Sequence, residues 1–584
     1  MRIAKVKIQN FRGILDGEIL FSDHNVLVGD NNAGKSTILE AIDLVLGPER
    51  ISRIGAIDEH DFYAGEYLDE GKQPIEIKIE LIVIDLNDDQ KRHFIDHLEW
   101  WDTLTNTLID SPPAEITDEQ HIIPALRVGF SGAYDIEEDD FTTKTYFLSP
   151  SGADGDDLIS FKTSDKRVCG FLFLRTLRTG SRALSLERGS LLDIILKLKD
   201  KRLQIWEDVL SNLRSIPVAA DPTLGVSDIL ADVQKSLLSF LTTTHSNNPH
   251  LKVSDLTRES LRRILTVFMD TGASKKDGMK YAAPYQHQGT GTINILVLSL
   301  LSIIAELKQN VIFAMEEPEI AIPPHIQKSI IDSVRMKSSQ ALFTSHSPYV
   351  LEEFEPSEII VIKRSAGIIS TALTNYPLSV KPKKYRTEFR KRFCECLLAD
   401  NILIVEGRTE YDTLPAASRK LHELDSDQFS TLESLGLAVI NAETDSQIAP
   451  LGEYFKKLGK KTIAICDKQA EPQKTLIHSS VDHCFESSES DFEKVILAET
   501  PDLTIRNYAI NLVNTGVWPK HLASETPTEE MDINLLKSAL AKYFIHEKGS
   551  GKIADLVTSC NLTEMSTFLV ETISSIQKII RPSH

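Results

Sequence analysis

The sequence is poor in cysteine and lacks both a long apolar run and an excess of positive charge. Its six cysteines are scattered over 584 residues, so a disulfide-stabilised scaffold is excluded and a reducing cytoplasm is expected. Cys394 and Cys396 lie two residues apart, but no second pair follows to complete a zinc site. Since no apolar stretch reaches the length of a bilayer crossing, we expect no membrane partner. Met1 leads directly into a strand pattern, and we therefore expect no signal peptide.

The net charge of −21 argues against a protein that binds nucleic acid through a generally basic surface. It leaves room for a metal-dependent nuclease, because such enzymes gather acidic side chains and need positive charge only locally in a DNA groove. One short stretch supplies positive charge, although its charge pattern alone favours a solvated linker or helix face. The basic residues of this stretch are Lys381, Lys383, Lys384, Arg386, Arg390, Lys391 and Arg392.

Length and periodicity predict several α/β units. The chain has 584 residues, 41% of them apolar and 26% charged, which is enough for roughly two to four hydrophobic cores. Short apolar strands alternate with helical segments, and this β-α-β rhythm predicts parallel sheets. Residues 184–213 and 226–268 have helical periodicity, whereas residues 102–145 are acidic and irregular with weak strand signals. The predicted strands cover residues 3–8, 14–21, 25–28, 75–84, 311–315, 341–344, 359–363, 401–405, 437–440 and 462–466.

Residues 29–36 fit the complete phosphate-loop pattern of glycine, four residues, glycine, lysine and serine. A strand pattern precedes the loop and a helix pattern over 38–46 follows it, which is the context that such a loop requires. The backbone amides of the loop would wrap phosphates at the positive end of the helix. Lys35 would reach the β- and γ-phosphates of ATP, and the Ser36 hydroxyl would bind Mg²⁺. The other candidate nucleotide contacts are Asn31, Asn32, Ala33, Gly34 and Thr37.

Four further features fit a triphosphate site. Glu316 and Glu317 end an apolar strand, where one carboxylate can hold Mg²⁺ and the next can polarise the attacking water. His346 follows another strand and would sense the γ-phosphate, although a histidine in such a place is more often structural. The remaining candidates are Gly289 and Gly291, in a Gly-rich turn before a helix at residue 293, and Arg12 in an early hairpin corner.

Acidic side chains also follow two strands of the C-terminal third. Glu406 follows the strand over 401–405, Glu410 lies one helical turn later, and Asp467 follows the strand over 462–466. Ligands of α/β sheets bind at the carboxyl ends of strands, and converging carboxylates need cations such as two Mg²⁺ or Mn²⁺ ions. Helix N-caps explain acids at strand ends as well, so the pattern alone leaves both interpretations open. Three more acids that can join this site are Glu489, Asp491 and Glu493.

The order of phosphate loop, Gly-rich turn, acidic strand end and histidine resembles the ABC-type ATPases, in particular the group with SMC, Rad50 and RecF. Those proteins likewise begin with a strand and an Asn-Phe-Arg corner, here residues 10–12. The resemblance implies that the Gly-rich turn of one head closes over the nucleotide of a second head. Glu316 departs from the usual aspartate, and the turn at Gly289 and Gly291 departs from the usual Leu-Ser-Gly-Gly.

A strand followed by Glu406-Gly407, and a later strand ending in Asp467, resembles the Toprim pattern of topoisomerases, primases and nucleases. An ABC-type ATPase followed by a Toprim domain resembles the OLD family of nucleases over essentially the whole chain. The resemblance implies that a lysine near the C-terminus assists cleavage, and Lys552 is the candidate, with Lys548 as the alternative. It also implies metal binding by Glu406, Glu410, Asp467, Glu489, Asp491 and Glu493.

One departure touches the implied metal site. Toprim proteins usually have Asp-x-Asp, whereas this chain has Asp467-Lys468-Gln469. Three outcomes are open. Gln469 and water complete a second metal site, the acids over 489–493 compensate for the lost aspartate, or one metal ion alone binds tightly.

The resemblance implies an α/β fold, with an ABC-type ATPase head, a helical insertion for dimerisation and a Toprim domain with a parallel sheet. The expected ranges are 1–180 and 276–385 for the two ATPase parts, 181–275 for the insertion and 396–584 for the Toprim domain.

The resemblance also implies a function. It predicts a cytoplasmic, ATP-hydrolysing DNA endonuclease that uses Mg²⁺ or Mn²⁺ and acts in anti-phage defence. The alternative is an ATP-driven sensor or scaffold whose Toprim domain is degenerate. The expected partners are DNA, further copies of the chain in a dimer or tetramer, and a helicase or a retron reverse transcriptase with its DNA–RNA hybrid.

Overall fold

The structure is a computed structural model, and it forms two compact units. The first unit consists of Met1–Asn25, Ser36–Ser345 and Ala366–Ile368, and the second of Val26–Lys35, His346–Ser365 and Ile369–His584. Residues 29–35 of the phosphate loop therefore belong to the same unit as the C-terminal third, whereas Ser36 belongs to the first unit. The described residues are 1–48, 56–109, 121–149, 158–174, 186, 190–199, 201–215, 226–240, 257–307, 311–320, 322–374, 390–489, 491–547 and 551–581.

Each strand that the sequence pattern predicts is present in the structure, with ends that agree within three residues. The strands are β1 (Arg2–Phe11), β2 (Ile14–Leu20), β3 (His24–Val28), β4 (Ile77–Ile84), β5 (Leu98–Asp102), β6 (Thr107–Ile109), β7 (Ile122–Asp135), β8 (Asp140–Phe147), β9 (Phe171–Leu174), β10 (Phe268–Ser274), β11 (Lys280–Pro284), β12 (Ile312–Glu316), β13 (Gln340–Thr344), β14 (Ile359–Ser365), β15 (Ile368–Leu373), β16 (Asn401–Val405), β17 (Leu437–Asn441), β18 (Lys461–Cys466) and β19 (His483–Glu486).

The helices separate these strands in the rhythm that the sequence predicts. Within the described residues, no helix combines the length and apolar character that a membrane crossing requires. The helices are α1 (Lys35–Leu46), α2 (Asp88–His93), α3 (Thr163–Cys169), α4 (Leu191–Leu198), α5 (Arg202–Ser215), α6 (Val226–Phe240), α7 (Arg258–Ile264), α8 (Thr290–Leu307), α9 (Pro324–Lys337), α10 (Pro348–Leu351), α11 (Arg390–Leu398), α12 (Arg408–Leu424), α13 (Asp445–Lys457), α14 (Gln473–Ser480), α15 (Phe492–Glu499), α16 (Asp502–Asn514), α17 (Ile533–His546), α18 (Lys552–Ser559) and α19 (Thr567–Ile580).

The antiparallel part of the first unit has the strand order β6-β5-β7-β4-β1-β2, with β8 paired to β7. Strand β4 alternates between buried and less buried positions before it ends in a fully buried run, so one sheet face forms a core. The weak strand signals over 102–145 underestimate this region, because β7 alone has 14 residues. Gly129 and Gly132 weaken the strand signal in the sequence, because glycine has a low β-propensity. The structure needs them, because a β-carbon at Gly129 would approach the Tyr146 ring to 2.8 Å.

The parallel part of the first unit consists of β9, β12 and β13, and β12 pairs with both neighbours. All five residues of β12 and of β13 are buried, as the apolar runs predict for strands covered on both faces. Gln340, at the start of β13, is fully buried and ties this part to β1. Its side-chain oxygen accepts a bond from the Ile3 amide at 2.8 Å, and its side-chain nitrogen donates to the Ile3 carbonyl at 2.9 Å.

The segment with helical periodicity contains α4 to α7. Within the predicted insertion, residues 216–225 and 241–256 lie outside the described residues. The last residues of the range 181–275 do not form a helix. They form β10, which pairs with β11 in an antiparallel hairpin. The helix after the Gly-rich turn begins at Thr290, three residues before the predicted start.

The second unit contains two parallel pairings that matter for function. Strand β3 pairs with β14, and the C-terminal sheet has the order β17-β16-β18-β19 with all pairings parallel. Strand β19 extends the sheet beyond the predicted strands. Leu403, Leu414, Ile463 and Ile573 belong to one apolar core that joins the sheet to its helices. The predicted α/β class with a parallel Toprim-type sheet is thus confirmed.

Candidate active site

The phosphate loop connects β3 to α1 through a backbone that needs glycine. Gly29 has a φ of 149° and Gly34 a φ of 101°, in the region that side chains disfavour. A β-carbon at Gly29 would also collide with the carbonyl oxygen of Ile362 on β14. Asn32, with a φ of 66°, occupies the left-handed region that asparagine tolerates. The loop residues therefore have the conformational roles that the sequence pattern requires.

Lys35 is the first residue of α1, and its ammonium group lies over the loop itself. Its Nζ donates to the Gly29 carbonyl at 2.7 Å and to the Asp30 carbonyl at 2.9 Å, and the residue is 7% exposed. The ammonium group is thus held where phosphates would meet the loop amides. Of the other predicted contacts, Ala33 and Gly34 are buried and Thr37 is half-buried, whereas Asn31, Asn32 and Ser36 are exposed.

Asp30 of the phosphate loop contacts the start of the C-terminal sheet within the second unit. Its carboxyl group shares a hydrogen bond with Asp400, the residue immediately before β16. This bond, together with burial, raises the pKa of Asp400. Burial also lowers the pKa of the nearby Lys460, which immediately precedes β18. The strands that lead to Glu406 and Asp467 therefore both begin beside the phosphate loop.

The other residues that the sequence predicts to contact the nucleotide lie at strand ends, at the start of a helix and in an ion-pair cluster. Glu316 ends β12 and is buried, and Glu317 adopts a φ of 45° while its amide donates to the Thr344 carbonyl at 2.9 Å. Arg12 forms ion pairs with Asp61, at 2.7 Å, and with Glu40. The other members lie as follows: His346 is exposed, Gly289 precedes α8, and Gly291 is in the first turn of α8.

The predicted acids of the C-terminal sheet gather at the carboxyl ends of β16 and β18. Five of the six predicted acids, all except Glu489, line a cleft of about 580 Å³. Because strands β16, β17 and β18 are parallel, their ends meet at one edge, as expected for a ligand site. The lining residues are Arg392, Glu406, Gly407, Arg408, Thr409, Glu410, Asn441, Glu443, Asp467, Asp491 and Glu493.

Gly407 explains why the acid after β16 is followed by glycine. Its φ of −133° is open to any residue, so the requirement is one of space. A β-carbon at Gly407 would stand 2.9 Å from Oε2 of Glu410. Helix α12 begins directly after Gly407, and its first turn places the Glu410 carboxylate close to Gly407. Thr409, in the same turn, donates to Oε1 of Glu493 at 2.7 Å. Glycine therefore makes room for the second carboxylate of the site.

Gln469 occupies the place of the missing aspartate and contacts Glu406. Its Nε2 donates to Oε2 of Glu406 at 3.1 Å, and the backbone amide of Asp467 donates to the same oxygen at 3.0 Å. These two bonds orient the Glu406 carboxylate across the ends of β16 and β18. An aspartate at position 469 would add a carboxylate beside those of Glu406 and Asp467, whereas glutamine adds an amide that donates a hydrogen bond.

Burial and mutual repulsion shift the titration of two acids in the cleft. Burial, together with the charges of Asp467, Glu493 and Glu406, raises the pKa of Glu410 to about 7. Burial, followed by the charges of Glu406, Glu493 and Asp491, raises the pKa of Asp467 to about 7. Below about pH 7 these carboxyl groups therefore tend to keep their protons, and a cation bound beside them would favour the charged forms.

The donor chemistry of this cleft fits a hard divalent cation, because carboxylate and amide oxygens are the ligands that Mg²⁺ and Mn²⁺ prefer. Among the described residues, no group of three or more histidine, cysteine, aspartate or glutamate side chains is placed so that it could hold a metal ion as it stands.

The predicted acids after β19 separate into two groups. Asp491 and Glu493 line the cleft, and Glu493 is buried. Glu489 is exposed, and its backbone carbonyl accepts bonds from the amide of Lys468 and the hydroxyl of Ser487. The three possibilities for the missing aspartate all stay predictions.

Lys552 does not line the acidic cleft. It begins α18, its Nζ lies 3.2 Å from Oδ2 of Asp555, and it lines a separate small crevice that also includes Thr409. Lys548 lies outside the described residues. A role for either lysine in cleavage stays a prediction.

Besides Gly407 and Thr409, four residues that line the cleft were not among the sequence candidates. Asn441 ends β17, so the strand-end reasoning that found Glu406 would have found it too. Glu443 follows two residues later with a φ of 66°. Arg408 follows Gly407 directly, and Arg392 closes the basic stretch that charge pattern alone assigns to a solvated face.

Comparison with known families fits both sites. The family model of the AAA ATPase domain matches residues 1–169 and 188–351, more than half of the chain. The class is therefore an AAA-type ATPase that carries a second, acidic α/β sheet. The model of the Toprim domain of overcoming lysogenization defect (OLD) protein-like sequences matches residues 397–468. The chain belongs to the OLD family, in which an ATPase domain is fused to a Toprim domain, and such domains use a nucleotide and divalent metal ions.

Relatives of the chain include two curated proteins. Endonuclease GajA of Bacillus cereus (strain VD045) is 22% identical over 422 residues, which are 70% of this chain and 66% of GajA. Old nuclease of Escherichia phage P2 is 23% identical over 200 residues, 31% of this chain and 33% of that protein. The chain thus spans just under two thirds of the first relative and a third of the second.

Among solved structures, an SMC head bound to the C-terminal winged-helix domain of ScpA is similar to the chain. It is 14% identical and is covered to 98%, with 64% of this chain included. Its TM-score of 0.35 is too low to support a structural argument.

Proposed function

We propose that this chain is a divalent-metal-dependent DNA endonuclease of OLD type that binds and hydrolyses ATP and serves in anti-phage defence. The observation that carries the proposal is the acidic cleft at the carboxyl edge of the C-terminal sheet. Five predicted ligands line this cleft, and the similarity to endonuclease GajA and Old nuclease supports the same chemistry. The five residues are Glu406, Glu410, Asp467, Asp491 and Glu493.

The acids of the cleft would bind Mg²⁺ or Mn²⁺ in this proposal. Such ions, when bound, polarise the phosphodiester and activate a water for attack. Glu406 and Asp467 contribute carboxylate oxygens from adjacent strand ends, and Gln469 orients Glu406. Glu410 and Asp467 release protons as metal binds, because their pKa values are raised to about 7 in its absence. Lys552 would have to leave Asp555 before it could assist cleavage.

The ATPase roles follow the sequence candidates. Lys35 would exchange the carbonyl groups of Gly29 and Asp30 for phosphate oxygens, and Ser36 would bind the metal that accompanies ATP. Glu317 would position the water that attacks the γ-phosphate, and His346 would contact that phosphate. Two heads would pair over the nucleotide, so a second copy of the chain is a proposed partner beside DNA.

One observation favours a second candidate function. Gln469 stands where a second aspartate is usual and donates a hydrogen bond to Glu406. A Toprim domain with this change would serve as a sensor or scaffold that responds to ATP without cutting DNA. The two functions differ in whether metal ions induce strand breaks.

A plasmid-nicking assay with Mg²⁺ or Mn²⁺, with and without ATP, separates the two functions. Under the endonuclease proposal, Glu406→Gln lowers the nicking rate by about 100-fold or more, the scale expected for loss of a catalytic electrostatic contact. Glu489→Gln, which removes an acid outside the cleft, is the matched control and keeps the wild-type rate. Nicking that persists in Glu406→Gln, or that is absent from the wild type under every metal tested, excludes the endonuclease.

A further inference from the structure

We propose that Arg392 and Arg408, which line the acidic cleft and lie against the ring of Tyr411, bind a backbone phosphate of the DNA beside the scissile bond. The inference rests on the proposed nuclease function and identifies how a negatively charged substrate enters an acidic site.

The geometry brings two guanidinium groups to one aromatic ring. The guanidinium carbon of Arg392 lies 4.4 Å from the centroid of the Tyr411 ring, and that of Arg408 lies 5.2 Å from it. Arg392 comes from α11, whereas Arg408 and Tyr411 belong to the first turn of α12. Cation–π contacts of this kind fix the plane of a guanidinium while its N–H donors stay available.

Charge in the cleft creates the need for such a pair. Six acidic residues line the cleft, and its basic lining residues are Arg392 and Arg408. Bound divalent ions would attract the scissile phosphate, but neighbouring phosphates of the strand still approach a ring of carboxylates. Planar guanidinium groups bind phosphate oxygens through two parallel hydrogen bonds, which makes arginine suited to hold such a neighbour.

The two arginines are not arranged to neutralise the acids of the cleft directly. Arg408 donates through Nε to Oδ2 of Asp412 at 2.8 Å, and Asp412 is not a lining residue of the cleft. Arg392 forms an ion pair with none of the described carboxylates, although six acids share the cleft with it. A residue that served only to balance charge would pair with one of them.

The neighbour of Arg392 provides a matched control. Lys391 precedes it in the basic stretch, but its Nζ lies over the ring of Tyr349, 5.1 Å from the centroid, and it does not line the cleft. Removal of either side chain subtracts one positive charge from the same helix turn. Only the loss of Arg392 should affect a phosphate held at the cleft.

The test measures binding of a fluorescent DNA duplex by anisotropy at several salt concentrations, with the full chain and Ca²⁺ in place of Mg²⁺ to suppress cleavage. We expect Arg392→Gln to weaken binding by about tenfold, and to reduce the slope of log affinity against log salt by about one, as for one lost phosphate contact. Lys391→Gln should remain within about twofold of the wild type. In nicking assays with Mg²⁺, Arg392→Gln should raise KM more than it lowers kcat.

Substitutions of Tyr411 and a conservative change supply further readouts. Tyr411→Phe keeps the ring and should bind DNA as the wild type does, whereas Tyr411→Leu should weaken binding because both guanidinium groups lose their support. Arg392→Lys should recover part of the affinity, since it restores charge without the planar fork. If Arg392→Gln fails to fold, as judged by circular dichroism, the Tyr411 pair decides the question.

Two results would overturn the inference, and they differ in what they leave standing. If the wild type nicks DNA but Arg392→Gln and Lys391→Gln have equal affinities and salt slopes, the phosphate site is wrong and the nuclease remains. If the wild type neither binds nor nicks DNA, the proposed function is wrong and the phosphate site falls with it.

Discussion

The phosphate loop and the acidic cleft both follow the ends of strands, yet they are built in opposite ways. The loop is eight consecutive residues whose backbone and one lysine favour an anion. The cleft collects side chains from residue 392 to residue 493 and favours cations. Strand β16 connects the two, since Asp400 at its start contacts the loop and Glu406 follows its end.

The phosphate loop and the acidic cleft differ in what determines their geometry. A loop made from consecutive residues is specified by local conformation, as its positive-φ positions illustrate. A cleft made from distant side chains depends on the fold to bring the charges together, and on its ligand to offset their repulsion. The loop should therefore respond to single substitutions in its own function alone, whereas the cleft should couple metal binding, pH and stability.

The largest expected effect tests whether the two sites are separable. Lys35→Ala should weaken ATP binding by about 100-fold, because a charge-assisted bond to phosphate contributes up to roughly 3 kcal/mol. Glu406→Gln should leave ATP affinity within about twofold. Isothermal titration with ATP and Mg²⁺ measures both constants. A large loss of ATP affinity in Glu406→Gln would break the comparison, since it would make the cleft part of the nucleotide site.

The next effect concerns the residue that departs from the Toprim pattern. Gln469→Asp should lower the Mn²⁺ concentration for half-maximal nicking by about tenfold, because another charged ligand strengthens cation binding. The metal-free variant should unfold at a lower temperature, since the bond from Gln469 to Glu406 is replaced by repulsion. An unchanged metal requirement would indicate that Asp491 and Glu493 already supply the missing ligand.

The melting temperature should shift by several degrees with pH because of the acids in the cleft, and the phosphate loop should not contribute to this shift. Glu410 and Asp467 have folded-state pKa values raised to about 7, so between about pH 4 and 7 the folded state binds more protons than the unfolded chain. Stability from these two groups is present at low pH and is lost as pH rises toward 7. Added Mn²⁺ should therefore raise the melting temperature more at pH 8 than at pH 5.

The double variant Glu410→Gln/Asp467→Asn is the control for this prediction. It should lose most of the difference between the Mn²⁺ effects at the two pH values, while the stabilisation by ATP at the loop persists. Equal Mn²⁺ effects at pH 5 and pH 8 in the wild type would contradict the proposed coupling of protons and metal in the cleft.

The smallest effect tests the packing behind the strand end. Gly407→Ala should lower the nicking rate about threefold, equivalent to roughly 0.6 kcal/mol, because the added methyl group displaces the Glu410 carboxylate by a few tenths of an ångström. The double variant Gly407→Ala/Glu410→Asp should restore part of the rate, since the shorter acid leaves room. A double variant that nicks about threefold more slowly than Glu410→Asp alone would contradict this account, because the methyl group would then have the same cost without the long acid beside it.

Sequence reasoning described the loop better than the cleft, and the reason is physical. The loop needs only Gly29, Gly34, Lys35 and a strand–helix context, all of which are visible in one window. At the cleft, strand ends located Glu406 and Asp467, because apolar runs mark buried strands reliably. The acids after β19 belong to one short segment, and only the fold separates Glu493, which lines the cleft, from Glu489, which is exposed.

Contacts between elements distant in sequence were beyond prediction. No local pattern indicates that α11 brings Arg392 to the ring of Tyr411, or that α18 carries Lys552 to a different crevice. The long strand β7 was underestimated for a related reason, because Gly129 and Gly132 lower its β-propensity while tertiary contacts require them. Propensity reports the local chain, and packing against a distant partner overrides it.

The close approach between position 407 and the carboxylate of Glu410 also constrains how this family can diverge. A lineage that replaces Gly407 by a residue with a side chain should tolerate the change only after Glu410 has been replaced by a shorter acid. The two codons are therefore expected to covary, and the order of the two changes should be fixed, with the acid substituted before the glycine.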